Sequence, residues 1–269
     1  MGNPPATRVR RSPMRPFRLP AGLHLAVLLA SALIAAAGHA ASLQISPIRI
    51  DLPSVPGAGA LQLRNQGDVP IHAQVRVFRW TQSGRDDVLE PTDTVVASPP
   101  IIRIAPGDQQ LVRVVHPQAA AAAAGETTYR LLIDELPQGD NGPASGVRVQ
   151  LRYSVPVFVG TPDAGVVPPL RFALLKDGGE WRLVARNDGN RHAQISDVTL
   201  IGRGGTKYAV TAGLLGYALA KSGRQWSLPP ERGMAPSAGW RLEATVNGTR
   251  VSAPLDVASA GNAVGTDAR

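Results

Sequence analysis

"VRVQLRYSVPVFVG", Val147 to Gly160, alternates more strictly than any other part of the chain. Val147, Val149, Leu151, Tyr153, Val155, Val157 and Val159 fall on one side of an extended strand, and Arg148, Gln150, Arg152, Ser154, Pro156 and Phe158 on the other. Side chains of a strand point alternately to opposite faces, so the segment predicts a ribbon with one apolar face. It is long against the usual length of about 5–6 residues. Pro156 cannot donate to a ladder and belongs on an edge strand. The expectation is a sheet edge that offers a row of branched aliphatics.

Short runs of the same kind, closed by turn residues, extend upstream of it. Leu43–Leu52 ("LQISPIRIDL") predicts a first strand, with Pro47 at an edge or a bend. Ala60–Asn65 follows, closed by the turn Asn65 to Asp68 ("NQGD"), then Ile71–Trp80 ("IHAQVRVFRW") with Ile71, Ala73, Val75 and Val77 alternating against polar partners. After a polar loop, Thr81 to Asp93, come Val95–Ala97, Gln110–His116 and Thr128–Leu136. About seven strands before Gly160 match one immunoglobulin-type sandwich.

Gly160 to Pro169 ("GTPDAGVVPP") then marks a domain boundary. Beyond it lie Phe172–Leu175, Trp181–Asn187, Ala193–Ile201, Lys207–Val210 and Trp240–Val246, a second set of short strands. The fold class is therefore all-β, with two immunoglobulin-like sandwiches: residues 41–160, a linker at 161–169, residues 170–257, and a flexible tail at 258–269. Asn65 to Val75 ("NQGDVPIHAQV") and Asn187 to Ile195 ("NDGNRHAQI") share Asn-x-Gly followed by His-Ala-Gln. The echo is read either as a repeated strand–turn–strand unit or as shared turn chemistry. Ala119–Ala124 and Leu214–Ala220 are the only helix-permissive pieces.

Residues 1–40 are predicted to be a cleaved signal peptide. Arg8, Arg10, Arg11, Arg15 and Arg18 form a basic head, Leu23 to Ala37 an apolar run, and Gly38-His39-Ala40 the small-residue stretch before the cut. The run is shorter than the roughly 20 apolar residues of a spanning helix, which argues against membrane insertion. The chain has 28 basic and 20 acidic residues; with the five leader arginines removed, 23 basic residues face 20 acidic ones. That balance excludes a strongly basic nucleic-acid binder. There is no cysteine, so an exported chain of this composition must gain its stability from core burial rather than disulfides.

The residues carry no catalytic constellation. His72, His116 and His192 are solitary, without a second ligand at metal-binding spacing, so neither metal nor cofactor is expected. Asp86, Asp87 and Glu90 crowd one polar loop, unlike the separated carboxylates of a glycosidase. There is no nucleophile elbow or phosphate loop. An enzyme, and with it a small-molecule substrate, is not expected. Arg49, Arg130 and Arg152 stand out because each sits inside a strand. Singly, each reads as cover for a solvated face; together, on neighbouring strands, they could hold a carboxylate or a chain terminus through paired hydrogen bonds.

"SPIRIDLP" (Ser46 to Pro53), "ASPPIIRIAPGDQQLVRVV" (Ala97 to Val115), "YRLLIDELP" (Tyr129 to Pro137) and "LRYSVPVFV" (Leu151 to Val159) resemble the periplasmic pilus chaperones of the chaperone–usher pathway, and more narrowly the archaic branch that serves spore-coat-type pilins. The resemblance covers most of residues 43–160 and is weak beyond. It implies two sandwiches in an L-shaped arrangement, a periplasmic location, pilus subunits (pilins) and an outer-membrane usher as partners, and donation of an edge strand to an incomplete subunit. Val147, Val149 and Leu151 are then the donor side chains, while Tyr153, Val155 and Val157 fill the chaperone's own core. In typical members two basic residues anchor the subunit's C-terminal carboxylate. Arg49 matches the first; the second, a lysine, falls where this chain has Pro156, and Arg130 and Arg152 are its expected substitutes. The alternative is a structural pilus subunit or a two-domain sugar-binding adhesin. A subunit would be shorter with an N-terminal donor extension, and an adhesin would want more aromatics than the 4% present.

Overall fold

The structure, a computed structural model, describes residues 43–117, 125–137, 150–160, 166–229 and 234–259. Pro47 divides the first predicted strand into β1 (Leu43–Ser46) and β2 (Ile50–Leu52), which join different sheets. A residue with fixed φ and no N–H ends one ladder and lets the chain cross to the other. β3 (Gly57–Asn65), β4 (Ile71–Ser83), β5 (Asp86–Pro91), β6 (Val96–Ser98), β7 (Ile101–Ile104), β8 (Gln109–His116), β9 (Thr127–Glu135) and β10 (Arg152–Val159) complete the first half. One sheet runs β1-β3-β8-β6; the other runs β2-β10-β9-β4-β5, with β7 also on β4. Leu61, Leu63, Val112 and Val114 of the first meet Val75, Leu131, Ile133, Val155 and Val157 of the second in one buried core. The lower half of the opening segment thus turns its valines inward, as expected.

The polar stretch Thr81–Asp93 is a hairpin rather than a loop. β4 continues to Ser83, pairs with Asp86, and reverses through Gly84 at φ +60°, the positive φ that a two-residue hairpin turn requires. β5 is exposed along nearly its whole length, so it has no apolar period to betray it.

The second half comprises β11 (Leu170–Asp177), β12 (Glu180–Asn187), β13 (Ala193–Ile201), β14 (Lys207–Ala209), β15 (Leu214–Ala218), β16 (Gly223–Ser227), β17 (Arg241–Val246) and β18 (Thr249–Ser259). The pairing runs β14-β13-β17-β18-β11-β12-β16, with β15 on β13. β18 is shared between two layers: it pairs antiparallel with β17 up to Pro254, then parallel with β11 from Leu255. A proline again stands where a strand changes partners. Leu174, Leu183, Ile195, Leu200, Leu242 and Val246 form the buried core.

Three expectations need correction here. Leu214–Ala220 is not helical, because β15 docks on β13 and Gly216 (φ +151°) lies against Trp226, whose Nε1 a Cβ would approach to 2.9 Å. β16 and β18 carry too many Gly, Ser, Arg and Pro residues to register as strands by pattern. β18 also runs past residue 257, the expected domain end. Ala119–Ala124, residues 161–165 of the linker, 260–269 of the tail and the leader 1–40 lie outside the described residues.

The two-fold echo is real in three dimensions. Asn65 Nδ2 donates to Val69 O (2.7 Å) and Ile104 O (3.1 Å) while its Oδ1 accepts from Gly67 N (2.9 Å). Asn187 repeats this in the second sandwich, donating to Arg191 O (2.7 Å) and Ala218 O (2.9 Å) and accepting from Gly189 N (2.9 Å). Both asparagines are fully buried, and each satisfies a turn and a neighbouring strand at once.

Candidate functional site

The site is a row of side chains on the outer face of the sheet β2-β10-β9-β4. Pro156 sits opposite Arg130 of β9, and Arg130 opposite Phe78 of β4. On the other flank Val157 pairs with Ile50, which places Arg49 beside Pro156 at the mouth of β2. Cross-strand neighbours share a face. The prolyl position is therefore flanked by two arginines.

One step along lies an aromatic row that the second sandwich covers. Trp80, Phe158, Tyr217 and Leu219 form a buried cluster of their own. Tyr217 meets Trp80 edge-on at 5.6 Å, and Phe158 stacks on His192 at 3.6 Å. His192 Nδ1 lies 2.8 Å from Glu126 Oε2, with both side chains buried. Gln82 ties β4 to β15: its Nε2 donates to Tyr217 O (2.9 Å) and its Oε1 accepts from Leu219 N (2.9 Å). Arg224 of β16 faces Asp87 of β5 at 3.4 Å.

The Arg130 guanidinium lies 3.6 Å above the Trp80 ring and 5.5 Å from that of Tyr217. Burial pulls its pKa below the ordinary arginine value, Asp87 and Tyr217 push back, and Arg224 adds to the lowering. Among the described residues no carboxylate stands within ion-pair distance of it. Arg49 Nε holds Asp51 Oδ2 at 2.9 Å in a half-exposed pair. Burial pushes the Tyr217 hydroxyl above its ordinary pKa, while Arg130 and Arg49 both pull it back and Asp51 raises it. Of the three predicted arginines, Arg130 thus faces the Tyr217 ring at 5.5 Å.

Arg152 does not join them. It lies four positions along β10 from Pro156, about 13 Å at ~3.3 Å per residue, opposite Asp134. Arg152 and Arg76 share the Asp134 carboxylate, Arg76 at 2.6 Å, and Arg152 is largely exposed. Like Arg49 with Asp51, Arg152 already has a carboxylate partner, but it stands away from the row beside Pro156.

β2 covers only Val157 to Val159 of β10. Arg152 to Pro156 is hydrogen-bonded to β9 on one side and, among the described residues, to no strand on the other. Leu151 continues this edge, half-buried, with its carbonyl accepting from Glu135 N at 3.0 Å. Val147 and Val149 lie outside the described residues. Sequence reasoning missed Trp80, Asp87, Tyr217 and Arg224, which come from four strands of two domains. One signal was available: Trp80 and Phe158 are large aromatics on the polar sides of their strands, the mark of a second buried face.

Residues 42–164 match the family described as "Pili and flagellar-assembly chaperone, PapD N-terminal domain". The first sandwich belongs to this pilus-chaperone family. Members are periplasmic. Solved pilus chaperones also share the fold across both sandwiches. The chaperone–tip subunit complex CsuC–CsuE of the archaic Csu pili of Acinetobacter baumannii matches at 22% identity and TM-score 0.60, covering 81% of this chain and 100% of that one. The Salmonella enterica SafA pilin–SafB chaperone complex matches at 17% and 0.56, covering 81% and 99%. The E. coli chaperone DraB matches at 18% and 0.52, covering 80% and 97%. No curated protein matches the chain in sequence. Pilus chaperones are two-domain β-sandwich proteins, and the topology described above is theirs.

Proposed function

We propose that this chain is a pilus-assembly chaperone that works in the periplasm, stabilises pilin subunits by lending them a strand, and delivers them to an outer-membrane usher. The uncovered edge of β10 carries the reading. Its free main-chain groups from Arg152 to Pro156 and the segment leading into it can pair with a subunit that lacks one strand. Val147, Val149 and Leu151 would enter the subunit's groove, each contributing roughly 1.5–3 kcal/mol when fully buried. Val155 and Val157, buried in the first core, are not available for that. The leader at residues 1–40 is read as the export signal. Chaperone action of this kind is binding without catalysis. Two of the solved relatives hold a subunit, a tip subunit in CsuC–CsuE and a pilin in SafA–SafB, which favours a chaperone over a subunit or an adhesin.

Arg49 and Arg130 are assigned to the subunit's C-terminal carboxylate. Arg130 projects from the strand beside Pro156 and so supplies from β9 the charge that the proline cannot supply from β10. Arg152, salt-bridged to Asp134, flanks the lending strand instead. The test is recovery of subunit from periplasm. Co-expressed with a candidate pilin subunit, the chain should bring down that subunit as a one-to-one complex. Arg49→Ala should abolish recovery with little change in melting temperature, because the Arg49 side chain is half-exposed and removal of one partner of a desolvated charge pair costs about 3–5 kcal/mol. Normal recovery by the variant would remove Arg49 from the site.

A further inference from the structure

The charges around Tyr217 do not balance. Arg49 faces Asp51, Arg224 faces Asp87, and Arg130 has no carboxylate of its own among the described residues. A desolvated guanidinium without a counter-ion is costly, and stacking on Trp80 offsets only part of that cost. Asp87 is shared as well. Its Oδ1 accepts from Gln82 Nε2 at 3.1 Å and stands 3.4 Å from Arg224 Nη1, which is buried and makes no aligned hydrogen bond. The same carboxylate acts on Arg130 at longer range. One oxygen of a half-exposed aspartate is thus shared between the Gln82 amide and Arg224, and Arg130 has no direct part in it.

We infer that the second sandwich takes part in carboxylate capture: Arg224 completes the site made by Arg49 and Arg130, and Asp87 is an internal carboxylate that a chain's C-terminal carboxylate displaces. The inference rests on the proposed carboxylate binding and extends it to residues of the other domain. A terminal carboxylate has two oxygens and reaches the row from the β10 edge, so it can satisfy Arg130 and Arg224 together. Displacing Asp87 also frees the Gln82 amide, whose other hydrogen bonds hold β15 at Tyr217 and Leu219. Occupancy of the site is thereby felt at the seam between the sandwiches.

The test uses Arg224→Gln, Arg224→Lys and Asp87→Asn in the full chain, with the pilin that the unmodified chain recovers, in its native form and with three residues added after its C terminus. A merely structural Arg224–Asp87 pair predicts that removing either partner has the same effect. The inference predicts opposite signs. Arg224→Gln should lower complex recovery on the order of tenfold, the size of one charge-assisted hydrogen bond, and Arg224→Lys should restore part of it. Asp87→Asn should raise recovery, on the order of threefold, because the competing carboxylate is gone. With the extended subunit, whose carboxylate is moved off the row, wild type and Arg224→Gln should bind alike. Equal losses for Arg224→Gln and Asp87→Asn, or no loss for Arg224→Gln, would overturn the inference while leaving the chaperone reading intact. Failure of the unmodified chain to recover any pilin would overturn both.

Discussion

Asp134 shows how a single side chain ties β10 into its sheet. It sits between Arg76 of β4 and Arg152 of β10, bridging three strands on the outer face. Burial works to raise its pKa, but hydrogen bonds from Arg76 and Arg152, with their charges, outweigh it and hold the carboxyl below the ordinary range. A depressed folded-state pKa means stability that is present above the unfolded value, about 3.9 for Asp, and is lost as pH falls through the folded value. Asp134→Asn should therefore lower the urea midpoint at pH 7 and make no difference in acid below the folded pKa. Both arginines are well exposed, so each ion pair is worth only about 0.2–1 kcal/mol. A gap between wild type and variant that persists unchanged into acid would show that the loss is steric rather than ionic. Arg49, Arg130 and Arg152 were all visible as arginines in predicted strands, although Arg49 lies in the bend between β1 and β2. Their grouping was not, because register across three strands decides which charges meet.

The proposed subunit-binding part of the opening segment and its core-facing part in β10 should be separable by a pair of double substitutions. Val155→Thr with Val157→Asn places polar groups among Leu131, Ile133 and Val114, where each unpaired group costs about 1–3 kcal/mol. The free chain should lose much of its urea midpoint. Val149→Thr with Leu151→Asn should leave that midpoint nearly unchanged and abolish complex formation, since those side chains are assigned to the subunit. Equal midpoint losses for both pairs would make the whole ribbon ordinary core. The alternation itself was legible at this level; what ended the core-facing part was not. β2, a separate strand because Pro47 sends the chain to the other sheet, covers only Val157 to Val159, yet Val155 beyond it still faces the core.

The two sandwiches are joined by more than a linker. Phe158, Trp80, Tyr217 and His192 form a packed aromatic seam, reinforced by the Gln82 bridge and the Arg224–Asp87 pair. Cutting Phe158 to Ala removes a fully buried ring, at a cost of roughly 3–5 kcal/mol. Scanning calorimetry should show one transition for the wild type. For Phe158→Ala it should show two, as the domains begin to melt separately. A variant that still melts in a single peak at a lower temperature would place Phe158 in the first core alone.

The amino-acid order was sufficient for the all-β class with two sandwiches and for the one-sided alternation that ends in β10, because each depends on local information. Alternation reports a one-sided strand, Asn-x-Gly reports a turn, and a Pro/Gly-rich run reports a boundary. The Asn65 and Asn187 turns were visible for the same reason, as repeated short-range chemistry. The grouping proposed to hold a carboxylate needed the fold. Arg49 and Arg130 are far apart in sequence and flank Pro156 only through strand register, while Asp87, Tyr217 and Arg224 stand on exposed or weakly patterned strands, two of these residues in the other domain. Charge pairing at a domain seam acts through space, and no periodicity along the chain records it.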